Sequence, residues 1–289
     1  MRCTIALGAA LLLSVTVRAA DTGCQYLEGG IIRGPQAEKK IALEFSADQY
    51  VEGASTILDE LASHHAKASF FLTGRCVTSG ENCKIVRRMV ADGHYVGPHS
   101  NTHPLLCPWS GKKRSLVTKE FFLDDLKQNI SALEKCGLKR DEIKYFLPPY
   151  EWYNSEVADW TREAGLRLIN HSSGTRSAAD YTEERSRNFV PSQVIFDSIL
   201  REEQKNGLNG YLLLMHLGAG PERKDKMHRR LGELLDVLQK RGYQFVRVDE
   251  LLHNCTTACE IWSNHQPRNG SKTSKAEPIF LPVLISANN

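Results

Sequence analysis

Lys40-Ile41-Ala42-Leu43-Glu44-Phe45, then the run from Ala54 to His64, then Ala68-Ser69-Phe70-Phe71-Leu72, decide the fold. The first piece is short and almost wholly apolar, which is how a strand buried on both faces reads. The second carries Ile57, Leu58 and Leu61 at helical spacing. The third is again a buried strand and stops at Thr73-Gly74. Strand, helix and strand in close succession form a crossover unit, and its two strands run parallel.

The same rhythm continues outward. Ile85 to Ala91 reads as a helix closed by Asp92-Gly93, and Tyr95-Val96 as a strand. Thr118 opens a long amphipathic helix to about Lys135, stopped by Cys136-Gly137. Tyr145-Phe146-Leu147 is a strand, Ser155 to Ala164 a helix, and Leu166 to Asn170 a strand. Ser192 caps a helix to about Glu203, and Tyr211-Leu212-Leu213-Leu214-Met215 is a continuous apolar strand. Lys226 to Arg241 is a helix ended by Gly242, and Gln244 to Arg247 is the last strand. The alternation predicts the α/β class: a parallel sheet covered by helices, closed into a (β/α) barrel of seven or eight units in one domain, residues 38–253. Chemistry in such a barrel sits at the C-terminal strand ends.

With 41% hydrophobic and 25% charged residues, the chain of 289 has ordinary globular composition rather than that of a disordered segment. Arg2, the apolar run from Ile5 to Val17 and small residues around Ala19 read as a signal peptide over residues 1–19, too short for a membrane span. Its removal takes Arg2 and Arg18, so the formal charge of +3 falls to +1. Nothing in that balance proposes a nucleic-acid partner. Residues 20–37 read as an N-terminal arm, and 254–289 as a loosely attached tail. Outside the signal stand Cys24, Cys76, Cys83, Cys107, Cys136, Cys255 and Cys259, an odd number expected to form disulfides in an exported protein, with Cys76–Cys83 the expected local pair. Asn129, Asn254 and Asn269 each open an Asn-x-Ser/Thr triplet that would accept a glycan in a host that glycosylates.

The strand ends are rich in chemistry. The first leads to Asp48, the third to His99-Ser-Asn-Thr-His103, the next to Pro148-Pro149-Tyr150-Glu151-Trp152. The fifth leads to Arg176 and to Asp180-Tyr181, and the sixth to Met215-His216. If a helix began at Ser100, a spacing of four would put His99 and His103 on one face, where they could share Zn²⁺, Co²⁺ or Ni²⁺ with a carboxylate. Taken singly, Asp48 could cap a helix, Arg176 and Asp180 could be a surface ion pair, and His216 could be a core histidine. Their joint location on one rim favours a site.

In combination, strand-Asp, His-Ser-x-x-His, Pro-Pro-Tyr, Asp-Tyr and Leu-Leu-Met-His resemble the NodB-type polysaccharide deacetylases, carbohydrate esterase family 4, over residues 38–253. The resemblance implies a distorted (β/α) barrel that hydrolyses acetyl groups on a glycan with a divalent metal, zinc foremost and cobalt or nickel as alternatives. It makes His99 and His103 metal ligands and His216 the proton donor to the leaving group. Asp180 orients that histidine, and the Tyr150 N–H helps hold the oxyanion. Two departures stand out. The family's Thr-Phe-Asp-Asp-Gly is Glu44-Phe45-Ser46-Ala47-Asp48 here, and its Arg-Pro-Pro-Tyr-Gly has Leu147 for Arg and Glu151 for Gly. We therefore expect Asp48 to serve as the metal's carboxylate and Glu151 as the base, with Glu44 as second candidate and Arg176 as a replacement positive charge. Trp109, Trp152, Tyr153 and Tyr181 are expected on rim loops, where aromatics can stack on sugar. The expected function is a secreted, metal-dependent glycan deacetylase; the alternatives are a glycan-binding barrel without activity and an amidohydrolase for a small molecule.

Overall fold

The computed structural model describes residues 23–111 and 114–255. The expected signal peptide and nearly all of the expected tail lie outside them, as do Cys259 and Asn269. The elements are β1 (Gln25–Leu27), β2 (Gly30–Arg33), β3 (Lys40–Ala47), α1 (Ala54–Ser63), β4 (Ala68–Leu72), α2 (Gly74–Val77), α3 (Gly80–Ala91) and β5 (Tyr95–Pro98). There follow α4 (Lys119–Lys135), β6 (Tyr145–Phe146), α5 (Ser155–Glu163), β7 (Arg167–Leu168), α6 (Ser192–Asn206), β8 (Tyr211–His216), α7 (Leu231–Lys240), β9 (Gln244–Phe245) and α8 (Val248–Leu251).

β3 is the central stave. It pairs in parallel with β4 on one edge and β8 on the other, and β9 joins its first two residues. β5 extends the sheet beyond β4, and β6 pairs with β7. The Leu147 N–H donates to Pro98 O at 3.3 Å, which links β5 to β6. Part of the N-terminal arm joins the ring. Ile31 of β2 bridges Ile169 beyond β7, and the Gly34 N–H reaches Gly210 O at 2.7 Å, just before β8. β2 is thus a stave of the distorted barrel.

Alternation along the staves separates two apolar regions. Ile41, Leu43 and Phe45 of β3 face the helices, with Ile57, Leu58 and Leu61 of α1 packed there. Ala42 faces inward with Phe71, Tyr145, Leu147, Ile169, Leu212 and Leu214. The same alternation turns Glu44 and Ser46 into the barrel. Thr118 opens α4 as the sequence suggests and Asn154 caps α5, both through their side chains; α3 begins earlier than expected, at Gly80 behind a Ser79 cap, and Ser192 is the first residue of α6 rather than its cap.

Two disulfides, Cys24–Cys255 and Cys83–Cys136, replace the expected Cys76–Cys83 pair. Cys83, in the first turn of α3, faces Cys136 at the C-terminal end of α4, whereas Cys76 is a buried thiol, pushed up to about 12 by that burial. Cys24–Cys255 spans 231 residues and ties the arm to the end of α8's loop. In the chain-entropy picture such a link contributes about 5 kcal/mol. Asn129 is fully buried, which excludes it as a glycan acceptor.

Candidate active site

The cleft sits at the C-terminal ends of the staves, with a volume of about 360 Å³. His99, His103, Glu151 and His216 line it, with Asp48 at its edge.

His99 and His103 come together without a helix. Ser100 and His103 adopt positive φ (70° and 56°), so the segment is a tight loop, and the two rings lie 5.1 Å apart. Two residues of α4 hold that loop. Asn129 accepts from the His99 N–H (2.8 Å) and donates to Leu72 O (3.0 Å). Asp125 accepts from the amides of Asn101 (2.7 Å) and Thr102 (3.0 Å) and from the Thr102 hydroxyl (2.6 Å). Neither residue was among the expected site residues. Their signal lies in the apolar stripe of α4, where Asp125 and Asn129 stand among Phe122, Leu126, Ile130 and Leu133. Polar groups on a buried face need partners. The Nδ1 of His99 meets Leu147 O at 2.8 Å, which leaves Nε2 for the cleft. Burial, with the neighbouring His103, pushes His99 down to about 3; burial pushes His103 down to about 4. Both rings are therefore neutral at physiological pH, the form that binds a cation.

The third expected ligand is elsewhere engaged. Asp48 accepts from both Arg75 Nε and a terminal Arg75 nitrogen, and from the Thr73 hydroxyl at 3.0 Å. Burial opposes ionisation of Asp48, but the Arg75 hydrogen bond and the His103 charge hold its carboxyl below the usual range. Among the described residues no group of three or more His, Cys, Asp or Glu side chains converges to hold a metal ion. The two imidazoles have the donor chemistry; Asp48, bound to a guanidinium, does not complete the set as it stands. In this structure Asp48 is thus paired with Arg75, and Arg176 does not supply the positive charge beside it. Arg176 is exposed and outside the residues lining the cleft, and the cation beside Asp48 is Arg75, from the short helix α2 that follows β4.

His216 ends β8. Asp180, which follows the turn Ser177–Ala179, accepts from its backbone N–H at 2.9 Å and meets Nδ1 at 2.7 Å. Burial alone would depress His216, but the charge and hydrogen bond of Asp180, aided by Glu151, raise it above its ordinary value. Tyr181 packs on the imidazole at 4.9 Å.

Tyr150 and Glu151 both have positive φ (58° and 53°), a strained pair for residues with a Cβ. The turn is pinned by the Glu151 N–H to Pro148 O (3.0 Å) and by Asn170 Nδ2 to Glu151 O (2.8 Å). Burial pushes the Glu151 carboxyl up to about 7, against the pull of the His216 charge. Beneath it, Glu44 is wholly buried and neither of its carboxyl oxygens has a partner among the described residues. Burial, and then Glu151, pushes Glu44 up to about 8, so it is protonated at neutral pH.

Exposed aromatics ring the mouth: Tyr50, Trp109, Tyr150 and Tyr181. Two expected aromatics do not. Trp152 donates its Nε1–H to Pro108 O (3.1 Å) and packs behind Trp109, and Tyr153 is core, its hydroxyl donating to Leu27 O at 2.7 Å.

Residues 33–169 match the family model for polysaccharide deacetylase. Over that stretch the chain is similar to the NodB-type polysaccharide deacetylases, carbohydrate esterase family 4. The peptidoglycan-N-acetylglucosamine deacetylase PgdA of Listeria monocytogenes is 29% identical over 241 residues, covering 81% of this chain and 44% of that protein. The chain thus spans less than half the length of that relative. The solved structure of Bacillus subtilis PdaA, a family 4 carbohydrate esterase, superposes with a TM-score of 0.63 at 23% identity, covering 79% of this chain and 87% of that one. A CE4 family pseudoenzyme from Bacillus anthracis gives 0.62 at 23% identity, covering 78% and 70%. These likenesses support the barrel. Members of this deacetylase family generally use a divalent metal. No helix among the described residues is long and apolar enough to cross a membrane.

Proposed function

We propose that the protein hydrolyses acetyl groups from a glycan outside the cytoplasm. The observation that carries the proposal is Glu151: a strained, half-buried carboxyl in the same cleft as the hydrogen-bonded His216–Asp180 pair, at a position where the family motif has Gly. Strain kept at a cleft residue, where glycine would avoid it, favours a functional role. Near neutral pH a carboxylate of this kind can take a proton from water as it attacks the acetyl carbon. The Tyr150 N–H, for which no acceptor is found among the described residues, is the donor assigned to the resulting oxyanion. His216, charged through Asp180, donates to the departing amine or hydroxyl. Exposed Tyr50, Trp109, Tyr150 and Tyr181 favour a sugar as the bound group. The two disulfides fit an oxidising compartment.

The metal enters this reading only through His99 and His103; no step is assigned to it here. A zinc site would need Asp48 to leave Arg75. The second reading, a glycan-binding barrel without hydrolysis, is favoured by Ser46, Ala47 and Leu147 standing where the family has two Asp and an Arg. Acetate release from N-acetylglucosamine oligomers and from acetylated xylan, with and without chelator and with added Zn²⁺, separates the two. Turnover lost in Glu151→Gln with glycan binding retained supports hydrolysis; no acetate release under any condition, with binding intact, supports the binding module.

A further inference from the structure

A second hollow, of about 450 Å³, lies beside the cleft and shares Tyr50 with it. Gly218 and Ala219 line the cleft, and the next residue, Gly220, lines the hollow. Gly220 has φ 71°, and a Cβ there would come within 2.7 Å of the Tyr50 ring, so the ring stands against this strand-end loop as a shared wall. The hollow is basic: Arg223, Lys224, Lys226 and Arg229 line it, against one carboxylate, Glu52.

Two of the four cations are fixed. Arg223 is fully buried and donates to the carbonyls of Asp225 (2.6 Å), Thr182 (2.8 Å) and Val190 (2.9 Å). Lys226 binds Glu52 (2.6 Å) and Gly220 O. The nearby acids are likewise engaged: Glu52 also accepts from the Ala219 N–H, Asp225 from the Ser192 N–H, and Glu184 from the amides of Lys224 and Asp225. Lys224 and Arg229 are exposed, and no carboxylate among the described residues pairs with either side chain. The hollow therefore keeps positive charge to spare, one aromatic ring away from the cleft.

We infer that this hollow binds an anionic group, a carboxylate or phosphate, carried by a sugar neighbouring the one held in the cleft. The inference rests on the glycan reading of the cleft and adds the charge of the substrate. Buried Arg223 supplies a fixed charge, Lys226 being paired with Glu52, and Lys224 and Arg229 supply free donors.

Binding tests it without needing turnover. Chitopentaose and O-carboxymethylated chitopentaose are titrated into the intact protein by calorimetry at low and high salt. The charged oligomer is expected to bind about 3–10-fold tighter at low salt, with the difference shrinking in about 0.5 M NaCl. Lys224→Ala/Arg229→Ala should abolish that preference and leave the neutral oligomer unaffected, while Lys224→Arg/Arg229→Lys keeps it. Competition by inorganic phosphate against the charged oligomer alone shows that phosphate serves equally; no competition limits the hollow to carboxylates. Equal affinity for both oligomers, or a preference that survives the double alanine variant, overturns the inference while the glycan reading stands. If neither oligomer binds, the glycan reading falls and this inference with it.

Discussion

Replacing Asp180 by Asn tests the acid half of the site. Asp180 touches His216 twice, at the ring (2.7 Å) and at the backbone N–H (2.9 Å), and both side chains are largely shielded, at 18% and 5% exposure. Asparagine keeps the shape and one oxygen to accept from the His216 backbone N–H, but it removes the charge and turns an NH2 toward Nδ1, where it can donate only to a neutral ring. What remains around His216 is burial, which lowers its pKa, and Glu151, which raises it. Loss of one shielded carboxylate partner moves a histidine by about 2 pKa units, or about 2.7 kcal/mol. Asp180→Asn should therefore titrate below the ordinary 6.5, where the parent titrates above it. NMR titration of the His216 ring reads this directly. The stability effect has a definite sign. In the parent, the raised pKa contributes stability that is fully present below the unfolded-state value and is lost as pH rises through the folded-state value. The variant should thus be destabilised by about 2–3 kcal/mol at pH 5.5 and by clearly less at pH 9. In a rate profile, the parent should rise through about 7 as Glu151 ionises and fall as His216 deprotonates above its ordinary value. In the variant the falling limb shifts to lower pH and the maximum drops. A parent His216 that titrates at or below 6.5, or a destabilisation equal at both pH values, would refute the reasoning.

Glu151→Gly should stabilise the fold by about 1 kcal/mol, since glycine accepts φ 53° without strain, and should abolish turnover; unfolding by urea and acetate release check the two halves. Glu44 binds its proton more tightly folded than unfolded, so the stability from this buried neutral acid is full at low pH and falls as pH rises from about 4.5 to 8. At pH 7 the penalty is about 3 kcal/mol, and Glu44→Gln should flatten the stability profile between pH 5 and 8, measured by urea titration across pH. Asn129→Ala removes one hydrogen bond from the His99 N–H and one from Leu72 O, leaving them only their own 3.2 Å contact, and should cost about 1–3 kcal/mol by chemical denaturation and broaden the His99 and His103 signals in NMR.

Much of the barrel could be read from the chain because its signals are local. Apolar runs of strand length and helical stripes recur in order, and Ser79, Thr118 and Asn154 mark helix starts by their own hydrogen bonds. The identities of His99, His103, Glu151, Asp180 and His216 as one cluster also follow from strand ends, since parallel staves point their C-termini to one rim. Other features depend on partners distant in sequence. Asp48 lies near the imidazoles in any reading, yet its engagement with Arg75, 27 residues on, is decided by the short helix α2 that follows β4. Cys83 meets Cys136 rather than the nearer Cys76 because helix packing, not spacing, sets which sulfurs face. The arm looks featureless as sequence because β2 is too short to show a period, and it becomes a stave only when β7 and β8 leave a gap for it. Trp152 and Tyr153 turn inward for the same reason: residue type gives a side chain its chemistry, and only the packed surroundings give it a direction.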